Sequence, residues 1–158
     1  MITIEKYSDS RKVQTHQLSV TTEQSQFTVS NIAEFLGCLA SHEHPQLILS
    51  DDQVVGFFIL DTQYNNHYDF CPSEAIGIRG LLIDQRFQGQ GFAVQAILAM
   101  PAYISKKYST FSSIYLTVNC RNEPAYNCYL KCGFKDSGHL YYGGAAGPQH
   151  IMSYAITQ

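Results

Sequence analysis

"RFQGQGFAVQAI", residues 86–97, sets Gly89 and Gly91 around Gln90 directly before an apolar run with helical spacing. A glycine-rich turn that opens a helix is a ready-made anion site, because several backbone N–H groups point outward at the positive end of the helix dipole. A glycine pair that merely lets a turn pack closely looks the same locally, so the flanks must decide.

The chain has 158 residues, enough for one domain (1–158) with a sizeable core. Hydrophobic residues make up 45% and charged residues 15%, a globular composition. Net charge is −3 and no basic block occurs, which argues against a nucleic-acid or anionic-membrane partner. The opening "MITIEKYSDSRKV" lacks the apolar core of a signal peptide, and no apolar run approaches a membrane span. Five cysteines (Cys38, Cys71, Cys120, Cys128, Cys132) form an odd set without a CxxC pair. They read as reduced thiols of a cytoplasmic protein, and the absence of close ligand doublets argues against a metal site.

Residues 2–7 read as a strand. The segment 22–41 reads as one or two helices, with Ile32, Phe35, Leu36 and Leu39 on one face and Ser30 as N-cap. "PQLILS" (45–50) and "QVVGFFILD" (53–61) flank Asp51-Asp52 as a hairpin. Residues 61–74 look too irregular for a core element and read as a long connection or strand extension. A strand follows at 75–84. A helix spans 92–108, which Pro101 should kink or shorten. The remainder reads as a strand at 113–118, a helix within 123–132, a strand from Phe134 and a last strand at 150–156. No repeat or linker interrupts this order, which gives a mixed α/β (α+β) domain.

Three phosphate loops compete for residues 88–93. A P-loop needs Gly-Lys-Ser/Thr, whereas Phe92 and Ala93 follow Gly91. A Rossmann loop wants an acidic residue about 20 positions on, and no Asp or Glu occurs between Gln85 and Asn122. The third is the Q/R-x-x-G-x-G/A pyrophosphate loop of the GNAT superfamily of N-acetyltransferases, which Gln88-Gly89-Gln90-Gly91-Phe92-Ala93 resembles residue by residue. A second match follows in "NEPAYNCYLKCGF", where Asn122, Ala125, Tyr129, Gly133 and Phe134 fit an N-x-x-A-x-x-x-Y-x-x-x-G-F pattern. The resemblance runs from about residue 13 to the end and looks closest to bacterial spermine/spermidine acetyltransferases, through Gln24 and Phe27, Val55-Gly56-Phe57, Arg79 and Ile83-Asp84.

That resemblance implies a central mixed, mostly antiparallel sheet flanked by helices, with a splayed strand pair that admits acetyl-CoA. Backbone N–H groups of Gln88–Ala93 would take the pyrophosphate. The strand edge Leu81, Leu82 and Ile83 would pair with the pantetheine amides, and an N–H of Leu81–Leu82 would hold the thioester oxygen. Tyr129 takes the family's position for the acid that protonates the leaving thiolate, though a helix aromatic packed on the sheet would look alike. Asn122 is either the N-cap of the following helix, a contact to the CoA arm, or both.

The base is less legible. Many relatives carry a glutamate on the strand before the loop, where "GIRGLLID" offers Arg79 instead. Glu74 is taken as the base, with Asp69, Glu23 and Glu34 as further carboxylates and His67 and His150 as titratable alternatives. Arg79 is expected to pair with one of those carboxylates. Segments 22–41, 61–74 and 141–150 hold Glu23, Glu34, Asp61, Asp69 and Glu74 but no Lys or Arg, so Glu23, Phe27 and Asp69 are assigned to a cationic acceptor. The reading is acetyl transfer from acetyl-CoA to a primary amine, a small one such as a polyamine. A peptide amine and a catalytically silent acyl-CoA-binding module are the alternatives, and the sequence leaves a homodimer open.

Overall fold

The structure, a computed structural model, describes residues 1–29 and 31–156. Seven strands form one sheet in the order β1-β2-β3-β4-β5-β7-β6. They are β1 (Ile2–Lys6), β2 (Glu43–Ser50), β3 (Gln53–Asp61), β4 (Ala75–Ile83), β5 (Ser113–Asn119), β6 (Lys135–Tyr141) and β7 (Gln149–Ala155). Every neighbouring pair is antiparallel except β4–β5. The helices are α1 (Lys12–His16), α2 (Ile32–Gly37), α3 (Tyr64–His67), α4 (Phe92–Lys107) and α5 (Glu123–Lys131).

Alternation along the central strands sends side chains to two cores. On β3, Phe58 and Leu60 join Ile76, Ile78, Ile97, Met100 and Ile104 beneath α4 and α5. Phe57 and Ile59 face the other way and pack with Leu47, Leu49 and Ile32 beneath α1 and α2. On that second face the pattern turns polar, with Glu43 and Asp61 paired at the ends of β2 and β3 and Arg79 midway along β4.

Two irregularities open the sheet. β4 and β5 pair only at Ala75–Ser113, Ile76–Ile114 and Gly77–Tyr115, so β4 beyond Gly77 has no partner on that side. Phe57 pairs with Leu82 but Ile59 with Arg79, so Gly80 and Leu81 together oppose Phe58 in a β-bulge. Gly80 takes φ +63 there, a left-handed conformation that side chains disfavour.

The structure corrects four local expectations. Pro101 does not shorten its helix, which continues through it for 16 residues because Ala96, Ile97, Met100 and Ile104 are buried on both sides of the missing N–H. Segment 22–41 contains only a 3-10 turn (Gln24–Gln26) and the six-residue α2, since apolar residues packed from irregular backbone onto a sheet mimic a helical stripe. The side chain of Asn31 caps α2 by accepting from Glu34 N at 3.0 Å, and Ser30 lies outside the described residues. The connection 61–74 contributes to the core after all: α3 buries Tyr64 to 1% exposure against Gly77, where no side chain would fit.

Candidate active site

The turn after β4 is braced before it is used. Buried Asp84 accepts from Ser19 N (2.9 Å), Arg86 N (2.8 Å) and Arg86 Nε (2.9 Å). Burial pushes the Asp84 carboxyl up, but the hydrogen bonds from Arg86 and Ser19 outweigh it and hold it below its usual range. Gln88 Nε2 donates to Ile83 O at 2.8 Å and exchanges hydrogen bonds with the Gln24 amide. Its side chain therefore fixes the turn. Gly89 and Gly91 adopt φ +80 and +79, and Gly91 opens α4 with no side-chain cap. Among the described residues no protein acceptor takes the N–H groups of Gly89, Gln90, Gly91, Phe92 or Ala93. These free donors at a helix start fit a pyrophosphate.

Where β4 and β5 part lies a cleft of about 340 Å³. Gly80 and Leu81 of the bulge form one wall, and Thr117, Val118 and Asn119 of β5 form the other. Phe27 and Gln26 close one end, with Arg121 stacked over the Phe27 ring at 5.5 Å. The β6–β7 loop closes another: Asn119 Nδ2 and Arg121 Nη2 both donate to Ala146 O, at 2.9 and 2.7 Å. Asn122 and Tyr129 reach the cleft from α5. Asn122 holds the N-cap position, yet its side chain makes no capping bond, which leaves the amide available to the cleft. Burial raises the Tyr129 phenol above its ordinary value, with Cys128 and Cys132 adding to the effect. The phenol is therefore protonated at neutral pH.

The acyltransferase profile named "Acetyltransferase (GNAT) family" matches residues 11–134. The chain belongs to the GNAT family. It is accordingly an acetyl-CoA-dependent acyltransferase. An uncharacterized N-acetyltransferase of Bacillus subtilis, YbbJ, is 32% identical over 114 residues, 72% of this chain and 71% of that protein. An aminoglycoside acetyltransferase solved with coenzyme A superposes with TM-score 0.78 at 15% identity, covering 98% of this chain and 95% of that one. A spermidine N-acetyltransferase from Vibrio cholerae, solved with CoA and spermine, gives TM-score 0.73 at 18% identity over 98% and 95%. At those identities the superpositions speak for the fold.

Within this GNAT fold the residues read from sequence divide sharply. Leu81, Phe27, Asn122 and Tyr129 line the cleft, Leu82 and Ile83 are buried, and Gln88 to Ala93 form the turn that follows β4 without lining the cleft themselves. The carboxylates do not converge. Glu74 precedes β4 at the closed end of the β4–β5 pair, exposed, with Ser73 Oγ donating to it at 3.5 Å. Glu23, Glu34 and Asp69 are exposed as well, and none lines the cleft. Arg79 pairs with none of them; its Nη1 donates to Glu43 Oε2 at 2.6 Å. His150 stacks on Tyr126 at 4.2 Å and lies 3.5 Å from Asp136.

A second cavity, of about 410 Å³, shares Tyr68, Arg79 and Tyr141 with the cleft and adds His42, Glu43 and His67. Of these, sequence reasoning raised only Arg79 and His67. The available signal was "SHEHP" (41–45), two histidines about a glutamate just before a core strand.

Proposed function

We propose that this enzyme acetylates a primary amine of a small cationic molecule, of the di- or polyamine class, by direct attack of the amine on the thioester of acetyl-CoA. One observation carries the acceptor reading. The cavity beside the cleft is lined by one carboxylate, Glu43, and one guanidinium, Arg79, with the rings of Tyr68 and Tyr141, and a second carboxylate, Asp61, lies buried behind it 3.8 Å from Arg79. Excess negative charge concentrates an ammonium in a cleft, and tyrosine faces attract it further. The free N–H groups at Gly89–Ala93, the open edge of β4 and the unpaired Tyr129 phenol of the cleft support CoA binding and thiolate protonation. The solved spermidine acetyltransferase, with its bound spermine, is consistent with that class. The five free cysteines suit a reducing compartment, the cytoplasm.

Thiol release from acetyl-CoA, measured against polyamines, amino sugars, amino acids and peptides, tests the reading. Spermidine or a related diamine should give the highest kcat/KM. Preference for a peptide N-terminus or an amino sugar would displace the polyamine class, and CoA binding without turnover on any amine would favour the silent module.

A further inference from the structure

No carboxylate from the sequence analysis reaches the cleft, yet an alkylammonium must lose a proton before it can attack. The second cavity holds a pair suited to that task. His42 Nδ1 lies 2.9 Å from Asp61 Oδ1, and the Asp61 side chain is fully buried. A carboxylate can only accept, so Nδ1 carries the imidazole proton and Nε2 keeps its lone pair. The pair is rigidly mounted: His42 O accepts from Thr62 N at 3.0 Å, and Asp61 Oδ1 also accepts from Gln63 N at 2.9 Å. Asp61 Oδ2 is a buried oxygen without any hydrogen-bond partner, 3.8 Å from Arg79. Such an oxygen costs stability, and a functional role would account for its retention. A carboxylate with spare charge behind an imidazole stabilises the imidazolium that forms when Nε2 takes a proton.

We propose that His42, oriented by Asp61, is the group that accepts the proton from the acceptor ammonium, directly or through one water of the cavity shared at Tyr68, Arg79 and Tyr141. The inference rests on the amine-acetylation reading above. The ammonium gives its first proton to His42 Nε2, and the nitrogen forms the new C–N bond with its freed electron pair. As the C–S bond breaks, its electron pair leaves on sulfur. Sulfur takes a proton from Tyr129, which is restored by the second proton lost from nitrogen, and His42 returns its own to solvent. His42 is the catalytic residue here and Asp61 a positioning residue.

The groups facing His42 are Asp61 from β3, Glu43 from β2, Arg79 from β4 and His67 from α3, whose ring lies 5.4 Å away. Tyr68 and Tyr141 line the same cavity, and the carboxylate of Glu43 is engaged by Arg79 at 2.6 Å. His42→Gln and Asp61→Asn are compared with the native enzyme on its best amine from the panel, with CoA affinity measured by calorimetry. His42→Gln should lower kcat by roughly a hundredfold or more, the range for losing a general base, with CoA affinity within twofold. Free imidazole should restore part of the rate of His42→Ala. Acceptors whose amines are already uncharged at the assay pH should shrink the deficit. Asp61→Asn should lower kcat more than it raises KM, because an asparagine amide can present a donor to Nδ1 and favour the wrong tautomer. Active native enzyme with His42→Gln within threefold of it overturns the base assignment alone. Native enzyme that binds CoA but acetylates no amine overturns the amine reading and the base with it.

Discussion

Arg79 on β4 holds Glu43 on β2 at 2.6 Å, reaching across the intervening strand β3. The pair involves the strand that carries the β4 bulge. A guanidinium there would repel an ammonium, and Glu43 together with Asp61 reverses the sign of that wall.

The turn at Gly91 gives the first prediction. Gly91→Glu would place bulk and negative charge among the free N–H groups, at φ +79. CoA affinity should fall by at least tenfold in calorimetry. Because a left-handed residue costs about 1–2 kcal/mol, Gly91→Ala serves as the control for strain, with a lower Tm but most of the affinity kept. Equal affinity in both variants would remove the turn from the CoA site.

Tyr129 is the second. Tyr129→Phe keeps the packing against Phe134, whose ring lies 5.3 Å away, and deletes only the hydroxyl. Turnover should drop roughly ten- to a thousandfold with CoA affinity unchanged. The phenol is raised above its ordinary value, so the native enzyme should retain this acid through the whole neutral and mildly alkaline range.

What could be read in advance followed from how local each signal was. The turn at 88–93 and the stretch from Asn122 to Phe134 are continuous in sequence, so spacing alone was enough to match them to the family's motifs. The second cavity draws on His42, Asp61 and Arg79, residues on a turn and two strands that meet only through sheet register. Asp61 entered the sequence reading merely as one of five acids. Glu74 lies outside the cleft because a carboxylate just before a strand can sit at either end of a splayed pair, and here the strands part at the far end. Likewise the stripe from Ile32 to Leu39 reads as helix although Leu39 packs from beyond α2.

Asp84 supplies a pH-dependent prediction. Its folded pKa is depressed, so its contribution is present above the unfolded value of about 3.9 and is lost as pH falls through the lower folded value. Asp84→Asn should cost about 2 kcal/mol near neutrality, the scale for hydrogen bonds to a buried charge. The Tm gap between native and variant should narrow as the pH is lowered below about 4. A gap that stays constant into that acid range would mean that Asp84 acts only through its shape.

Gly77→Ala tests the wall behind the acceptor cavity. An added methyl would collide with the Tyr64 ring, itself packed at 4.4 Å centroid distance on Tyr68. Overpacking of this kind costs about 1–3 kcal/mol, so Tm should fall. The displaced Tyr68 should raise the acceptor KM while CoA affinity holds. Loss of CoA affinity instead would show that the ring cluster supports the cleft and not the acceptor.

The sign of the charge at the acceptor wall can be inverted from either side of one ion pair. Glu43→Gln removes a negative charge and frees Arg79; Arg79→Gln does the reverse and leaves Glu43 and Asp61 unopposed. For spermidine, Glu43→Gln should raise KM and Arg79→Gln should lower it, each by roughly three- to tenfold at low salt and less at high salt, where screening shortens the reach of these charges. General damage to the site would raise KM in both variants, so only opposite shifts speak for electrostatic selection. Opposite shifts that vanish for an uncharged-tail amine of similar length would tie the selection to the second ammonium. Shifts of the same direction in both variants would instead assign Arg79 and Glu43 to holding the sheet together, and the preference for a cationic acceptor would have to come from elsewhere in the cleft.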